Sequence, residues 1–247
     1  MNQGSRVYAE SRTAFRTFLR RRTAVVFTFL FPLILVIIFG ALISTDPGGG
    51  GLFAEPPAYY LAGYIAVVVL FTPMSRMSAE VIRHREDNRF EKLATTPLTR
   101  AEWFIAHTLV TTVLVLIASV LVVSVLVLFG DSPLPRSPVI PVFILCGVCV
   151  FAGIGAFLGR VAKTQDGAIA ASNTIALPML FLAETFVPLE LLPAWFRPAV
   201  EVMPLTPFTR GVRATMYGDP WIGHLTVLAV LASVFFVIGY RSIPQAD

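Results

Sequence analysis

Long apolar runs, each close to twenty residues, limit most strongly what this chain can fold into. A helix needs about 20 mostly apolar residues to cross the hydrocarbon core of a bilayer. Transmembrane barrels are excluded, because their strands alternate in polarity and run for only about ten residues. Composition supports the same class, since 56% of the 247 residues are hydrophobic and only 14% are charged. The sequence therefore predicts an all-α polytopic membrane protein.

Six segments have the length and polarity of transmembrane helices. They are residues 24–44, 59–79, 103–129, 139–161, 167–187 and 221–240. The second is the weakest, because Pro73 lies near its end and is expected to kink or end the helix. Pro32 and Pro178 are expected to kink the first and fifth spans. We therefore predict six transmembrane helices in a single transmembrane domain that covers residues 1–247.

The distribution of basic residues predicts the orientation of the chain. With the N-terminus in the cytoplasm, 15 of the 19 lysines and arginines lie on the cytoplasmic side and four lie outside. Cytoplasmic loops of membrane proteins carry such an excess. The first span is too long for the apolar region of a secretory signal peptide, and no cleavage motif follows it. Both termini are therefore predicted to lie in the cytoplasm.

Residues 1–23 are predicted to form an amphipathic helix on the cytoplasmic face of the membrane. A helical wheel separates an apolar arc from a basic arc, and their members are Val7, Tyr8, Ala14, Phe15, Phe18 and Leu19, and Arg6, Arg12, Arg16 and Arg20. Apolar burial and anionic headgroups hold such a helix at the interface. The residues expected to anchor it are Arg12, Phe15, Arg16, Phe18 and Arg20. The alternative is a solvated basic tail, which needs no aromatic face.

The densest charge lies in a predicted cytoplasmic loop, residues 80–102. Phe90 and Leu93 lie one helical turn apart in it, among charged neighbours. Pro97 ends the predicted short helix, and Thr99 with Glu102 forms a T-x-x-E capping box that begins the third span. Two exposed apolar side chains in so charged a helix indicate a docking element for a cytoplasmic partner. A plain solvated connector is the alternative.

A second unusual segment, residues 188–220, is predicted to lie outside, between the fifth and sixth spans. Proline recurs at positions 188, 193, 198, 204 and 207, which rules out one continuous helix. The large apolar side chains between the prolines are equally unsuited to a free loop. We predict short broken helices that pack at the outer end of the bundle and are shielded by protein.

Few polar residues lie inside the predicted spans. Glu184 is the one carboxylate there, and an intramembrane carboxylate is either a functional group or a satisfied structural contact. Glu184 and Asn173 are the candidates for a substrate pathway. The G-x-x-x-G motif of Gly155 and Gly159 permits the close approach of another helix.

No catalytic constellation is visible. Cys146 and Cys149 lie one turn apart in an apolar run and are predicted to be packing residues. The three histidines, His84, His107 and His224, are not expected to converge, so no metal site is predicted. The chain also lacks the G-x-x-x-x-G-K-[ST] motif that binds nucleotide phosphates.

Two segments resemble the permease subunits of type-2 ABC exporters, and most nearly the daunorubicin-resistance type of drug-export permeases. They are RHREDNRFEKLATTPLTRAEW and LPMLFLAETFVPLELLPAWFRPAVEVMPLTPFTRGVRATMYG. The layout also matches along the whole chain, from the amphipathic N-terminal helix to the proline-broken segment before the last span. One departure is that Ala183 and Glu184 stand where the family commonly has a Ser-Gly pair.

The resemblance implies a permease subunit that moves a drug-like or lipid-like substrate out of a prokaryotic cytoplasm by alternating access. It implies a coupling helix that docks on a separate ATPase subunit, and the matching residues here are Arg85, Glu86, Arg89, Phe90, Glu91, Lys92 and Leu93. ATP and Mg²⁺ would bind to that ATPase, and this chain would bind no cofactor. The other expected partners are a second copy or a related permease, and membrane lipids, but no nucleic acid. The chain alone is therefore not expected to be an enzyme.

The alternative function is a self-contained secondary transporter of a small amphipathic substrate. Such transporters often show internal repeats and charged groups near the bilayer midplane. Spans one to three and four to six show no clear repeat, and no midplane charge is visible. A membrane-embedded enzyme, a third class, would need a convergent set of His, Asp or Ser residues that the sequence does not offer.

Overall fold

The computed structural model describes residues 2–38, 55–129, 134–135, 137–187, 189 and 192–244, and within these ranges it contains helices and no strands. The ten α-helices are α1 (Gln3–Arg20), α2 (Arg22–Val36), α3 (Pro57–Glu86), α4 (Arg89–Ala94), α5 (Arg100–Phe129), α6 (Ile140–Val161), α7 (Gln165–Leu182), α8 (Arg197–Val202), α9 (Thr206–Tyr217) and α10 (Ile222–Ser242). The predicted all-α class is confirmed for the described residues.

Four of these helices are long and apolar enough to cross a membrane. They are α3, α5, α6 and α10, which coincide with the second, third, fourth and sixth predicted spans. Helix α2 is apolar but shorter, and residues 39–44 of the first predicted span lie outside the described residues. Helix α7 coincides with part of the fifth predicted span. The count of six spans stays a prediction.

Two predicted helix ends are wrong. Helix α3 passes through Pro73 and continues to Glu86, because α6 and α7 pack around it and support the interrupted turn. Helix α7 ends at Leu182 and not at residue 187. The reason is the next turn of backbone, where Glu184 takes a left-handed conformation with a φ of 53° that a helix cannot accommodate.

Helices α3 and α6 form the centre of the bundle. Gly155 and Gly159 lie against the backbone of α3, where an added Cβ would come within 2.5 Å of the carbonyl oxygens of Met74 and Ser78 respectively. The predicted close approach at this G-x-x-x-G motif is confirmed, and its partner is α3. Of the four long apolar helices, α3 is the most enclosed, because 78% of its apolar stretch of 18 residues is buried inside the bundle.

Another face of α6 contacts α10. Gly153 lies so close to α10 that an added Cβ would stand 2.1 Å from the carbonyl oxygen of Phe235. Gly239 faces Gly153 from the other side of this crossing. Cys146 and Cys149 are free thiols that pack beside the core, as predicted.

Helix α1 packs along α5. Ala14 and Phe18 are buried and form a cluster with Leu114 of α5. The prediction that Phe18 anchors the helix in the membrane is therefore wrong, because α5 covers its ring. Tyr8 and Leu19 remain 70% and 52% exposed on another side of α1.

The other predicted membrane anchors have the exposure that the role requires. Arg12, Arg16 and Arg20 are exposed, and Phe15 is half-buried. Their contact with lipid stays a prediction. A single residue, Arg21, separates α1 from α2, so the chain turns sharply between the two helices.

The segment between α7 and α10 contains the short helices α8 and α9. The prediction that no continuous helix spans it is confirmed. Phe208 and Val212 of α9 are fully buried in the main core. Gly211 lies against the ring of Phe143, near the start of α6. The location of this segment outside the cell stays a prediction.

Candidate functional site

A short charged helix, α4, marks one end of the bundle. The helix before it, α3, extends past the predicted end of the second span to Glu86, so the predicted loop begins as a helix. Asn88 then takes a left-handed conformation with a φ of 51°, which Asn adopts more readily than most residues. Helix α4 begins at the next residue. Asn88 therefore marks the break in the backbone between α3 and α4.

Phe90 attaches α4 to the bundle from inside. Its ring packs edge-on to Trp103, with centroids 5.2 Å apart, and lies 5.3 Å from the ring of His84. Only 7% of Phe90 is exposed. The prediction that Phe90 is exposed for docking is therefore wrong, because the start of α5 covers its ring. Leu93 is half-buried against the same cluster.

The surface that α4 and its preceding turn offer is charged. The exposed members of the predicted docking set, with the neighbouring aspartate, are Arg85, Glu86, Asp87, Arg89, Glu91 and Lys92. Arg89 and Asp87 form an ion pair at 2.9 Å. The role of these residues in docking stays a prediction.

Arg85 connects the end of α3 to the end of α6. Its Nη1 atom donates to the carbonyl oxygens of Gly159, Arg160 and Ala162, at 3.1, 2.6 and 3.2 Å. The last carbonyl groups of a helix lack partners within the helix and carry partial negative charge, so a guanidinium is favourable there. Arg85 was predicted to dock on a partner, and the structure gives it this internal contact.

Two further arginines bind carbonyl groups at the end of α10 in the same way. Nη1 of Arg160 donates to the carbonyl oxygen of Arg241 at 3.1 Å. Nη1 of Arg100 donates to the carbonyl oxygen of Ile243 at 3.2 Å. We call Arg85, Arg100 and Arg160 the arginine caps. Together they join the ends of α3, α6 and α10 to one another and to the start of α5.

Glu102 connects the start of α5 to α1. Its Oε2 accepts from the backbone N–H of Thr99 at 2.8 Å, and its own N–H donates to Oγ1 of Thr99 at 3.2 Å, so the predicted capping box is confirmed. Nη2 of Arg6 also donates to Oε1 at 2.6 Å. The predicted position of Arg6 on the headgroup face is wrong, because this carboxylate offers a charged partner within the chain.

Sequence reasoning missed the meeting of His84 and His107. Their ring centroids are 5.7 Å apart, and both rings lie against Trp103. Nδ1 of His84 donates to the carbonyl oxygen of Glu80 at 2.9 Å, and its Nε2 accepts from the indole N–H of Trp103 at 3.3 Å. The capping box predicts only where α5 begins, so no signal in the sequence indicated this contact.

Glu10 of α1 completes this cluster. Its Oε1 atom lies 3.3 Å from Nε2 of His107. Burial raises the pKa of Glu10 above the ordinary value. Among the described residues, no three His, Cys, Asp or Glu side chains are grouped as metal ligands. We call the end of the bundle that holds His84, Trp103 and the arginine caps the Trp103 end.

The opposite end, which we call the Glu184 end, is held by a second set of charged contacts. The carboxylate of Glu184 accepts a hydrogen bond from Nε of Arg210, and its carbonyl oxygen accepts from Nη2 of Arg213 at 2.8 Å. The guanidinium of Arg213 stacks on Tyr59, with Cζ 3.6 Å from the ring centroid. The hydrogen bond that Arg210 donates to Glu184 raises the pKa of Arg210, and burial lowers the pKa of Arg213.

Asn173, the other candidate for a substrate pathway, has contacts of its own. Oγ of Ser75 donates to its Oδ1 at 3.5 Å, which joins α7 to α3. The hydroxyl oxygens of Ser172 and Ser78 lie 3.0 Å apart in the same helix contact. Asn173 therefore belongs to the α3–α7 interface, and Glu184 belongs to the contact with α9.

Comparisons with known proteins agree on one family. A family model described as ABC-2 type transporter matches residues 6–217. The transport permease ycf38 of Porphyra purpurea is 26% identical over 196 residues, which cover 77% of this chain and 66% of that protein. The doxorubicin resistance ABC transporter permease protein DrrC of Mycobacterium tuberculosis is 25% identical over 229 residues, covering 88% and 80%. The daunorubicin resistance ABC transporter permease protein DrrB1 of Streptomyces coeruleorubidus is 26% identical over 225 residues, covering 86% and 76%.

Proposed function

Because the chain belongs to the ABC-2 type transporter family, we propose that it is the membrane-spanning permease subunit of an ATP-driven exporter. The relatives that are named as ABC transporter permeases support this role. The sequence carries no G-x-x-x-x-G-K-[ST] motif, so ATP and Mg²⁺ would be bound by a separate ATPase subunit. The chain would supply the translocation pathway and the surface on which that ATPase acts.

The proposed topology has six spans, with α2 and α7 added to the four long apolar helices. The Trp103 end would face the cytoplasm of a prokaryotic cell and the Glu184 end would face outward. The concentration of lysine and arginine around the Trp103 end supports this orientation. Labels at Gly49, which lies outside the described residues, and at Pro198 should then be reachable only from outside. Labelling of either position from the cytoplasm would contradict the topology.

The ATPase is proposed to dock on the charged face of α4. One observation carries this proposal: α4 is exposed on its charged side, but Phe90 and Arg85 attach it and its preceding turn to the bundle. A helix whose charged side is exposed and whose other side is packed on the bundle can be pushed by a partner without detaching from the bundle. A rotation of the ATPase would move α4, and the arginine caps would carry that displacement to α6 and α10.

The proposed cargo is an amphipathic drug-like or lipid-like molecule. Two relatives are named for doxorubicin and daunorubicin resistance, which supports this class. The bundle also presents extensive apolar surface. Only 17% of the 18-residue apolar stretch of α10 is buried, and 50% of that of α5. Lipid and a second permease copy would share this surface, and a pathway between two copies would suit a substrate that enters from the bilayer.

The docking proposal is tested with charge reversals on α4. The pair Glu91→Lys and Lys92→Glu reverses two exposed charges, and the chain is co-expressed with its ATPase subunit. We expect recovery of the ATPase with the permease to fall about tenfold, which corresponds to about 1.4 kcal/mol. Glu201→Lys, an equally exposed change on α8 at the Glu184 end, is the matched control and should have no effect.

Two outcomes would contradict the proposal. Unchanged recovery with both α4 reversals would place the ATPase contact elsewhere. Transport by the purified chain alone, driven by an ion gradient and without ATP, would support the secondary transporter instead. Coupled ATP hydrolysis and transport in the reconstituted complex are the expected results.

A further inference from the structure

Arg76 of α3 buries a guanidinium without a hydrogen-bond partner. Its Nε, Nη1 and Nη2 atoms are all buried, and none of them meets a hydrogen-bond partner within the described ranges. One aromatic contact exists, since Cζ lies 5.5 Å from the centroid of the Phe18 ring. A cation–π contact offsets only part of the cost of removing a charge from water. Buried charges in proteins are normally paired, so an anion beside Arg76 would offset the cost of burying its guanidinium.

Two other guanidinium groups belong to the same cluster. Nη1 of Arg21 lies 3.6 Å from Oε1 of Glu80, and Arg83 pairs through Nη2 with Oε2 of that carboxylate. Nε and Nη1 of Arg83 are buried and, like the nitrogens of Arg76, lack a partner in the described part of the chain. Arg21 is close enough to Arg76 to repel its charge. Two of the three guanidinium groups, those of Arg21 and Arg83, therefore pair with Glu80, and Arg76 is left without a carboxylate contact among the described residues.

In the proposed topology, on which this step rests, the cluster would lie at the depth of lipid headgroups. Arg76 stands about 28 Å along α3 from its first residue, at a rise of 1.5 Å per residue. That distance is close to the thickness of the hydrocarbon core, about 30 Å. Arg21 forms the open edge of the cluster, with 34% of its side chain exposed. An anion can therefore approach past Arg21, where α1 meets α2.

We propose that Arg76, Arg83 and Arg21 bind the phosphate group of an anionic phospholipid. Guanidinium groups bind phosphate through paired, charge-assisted hydrogen bonds, which would occupy the free nitrogens of Arg76 and Arg83. The acyl chains would lie on the exposed apolar stripe of α2, formed by Val26, Leu30 and Ile34 at successive turns. The lipid would thereby join the α1–α2 turn to α3.

The test compares Arg76→Met with the unmodified chain in two kinds of nanodisc. In phosphatidylcholine alone, the variant should melt at a higher temperature, because it removes a buried charge that has no partner. In discs that also contain phosphatidylglycerol, the unmodified chain should melt higher, because the phosphate of this lipid, unlike that of phosphatidylcholine, is not compensated by a quaternary ammonium of its own headgroup and can pair with Arg76. Retention of phosphatidylglycerol through detergent extraction should fall roughly tenfold in the variant. The expected result is that the difference in melting temperature between the variant and the unmodified chain changes sign between the two kinds of disc.

Arg197→Met is the control, because Arg197 is an exposed arginine on α8, at the opposite end of the bundle. It should shift the melting temperature equally in the two kinds of disc. If Arg76→Met is less stable than the unmodified chain in both kinds of disc, Arg76 has a stabilising partner within the protein. If it is more stable in both, no lipid phosphate pairs with Arg76. Either result overturns the proposal. Inorganic phosphate that stabilises the unmodified chain in phosphatidylcholine as strongly as phosphatidylglycerol does would support a phosphate site and overturn the lipid as its source.

Discussion

The indole N–H of Trp103 donates a hydrogen bond to Nε2 of His84 at 3.3 Å, so the start of α5 fixes a side chain near the end of α3. Phe90 packs on the same indole and brings α4 with it. Helix α4 has only six residues, which is too short to be stable by itself in water. The position of α4 is therefore set by the contact between α3 and α5.

Phe90→Ala should release α4 from the bundle. Removing a buried phenylalanine ring costs about 3 kcal/mol or more of unfolding free energy, and here the loss falls first on the short helix. Hydrogen exchange of the amides of residues 87–94 should become faster, while α6 keeps its protection. Glu91→Ala, an exposed change on the same helix, is the control and should stay within about 0.5 kcal/mol. Equal exchange in Phe90→Ala and the control would show that the ring does not anchor α4.

Gly153→Ala should disrupt the contact between α6 and α10. The added methyl would lie 2.1 Å from the carbonyl oxygen of Phe235, and a backbone atom cannot move aside as a side chain can. We expect a loss of about 3 kcal/mol, measured by unfolding in mixed detergent micelles. Gly223→Ala is the matched control on α10, because an added Cβ there meets no atom within 4 Å. It should be stabilising by up to about 1 kcal/mol, since alanine favours a helix.

Glu10→Gln should change how stability depends on pH. Burial raises the pKa of Glu10 in the folded chain, so below the ordinary value of 4.5 both states hold the proton. As pH rises from there through the raised pKa, the folded state keeps a proton that the unfolded chain has lost, and stability falls. The glutamine variant stays neutral and can still bond to His107. Its melting temperature should therefore exceed that of the unmodified chain increasingly across this window.

The control for that pH profile is Glu201→Gln, because Glu201 is exposed. It reports the effect of removing a carboxylate from the surface of the chain. A Glu10→Gln profile parallel to that of the unmodified chain would mean that Glu10 titrates at its ordinary value.

Glu184 allows its ion pair and its backbone conformation to be measured separately. Glu184→Ala removes the bond to Arg210 but keeps a side chain at a φ of 53°, whereas Glu184→Gly removes the bond and favours that conformation. We expect the alanine variant to be less stable than the glycine variant by about 1 kcal/mol. Equal stability of the two variants would show that the left-handed conformation is not strained.

Transport assays on the same position separate a structural from a functional carboxylate. Glu184→Gln keeps the size of the side chain and removes its charge. If the carboxylate only holds α9, transport should fall in proportion to the amount of folded permease. A loss of transport at normal assembly, across several substrates, would instead place Glu184 on the pathway of cargo or protons.

The sequence predicted best those features that local rules determine. The capping box of Thr99 and Glu102 needs only a spacing of three residues, and it was correct. The close approach at Gly155 and Gly159 also followed from spacing, although the identity of α3 as the partner did not. The long apolar runs gave α3, α5, α6 and α10 because each run exceeds the length that a bilayer requires.

The wrong predictions concern side chains that contact a segment distant in the sequence. A helical wheel assigned Phe18 to lipid and Arg6 to headgroups, but α5 supplied an apolar surface for the first and Glu102 for the second. Phe90 looked exposed because its neighbours in sequence are charged, and Trp103 lies thirteen positions away. Nothing in the spacing of His84 and His107 indicated that α3 and α5 would bring their rings together.

The arginine caps have a consequence for the conditions under which the Trp103 end keeps its shape. Their acceptors are backbone carbonyl groups, which cannot be protonated and carry no net charge for salt to screen. An arginine side chain also keeps its charge in proteins. Pairs between carboxylates and basic residues, such as that of Glu184 and Arg210, are instead screened by salt. The joints among α3, α6 and α10 should therefore tolerate increases of ionic strength that would weaken the contact between Glu184 and α9.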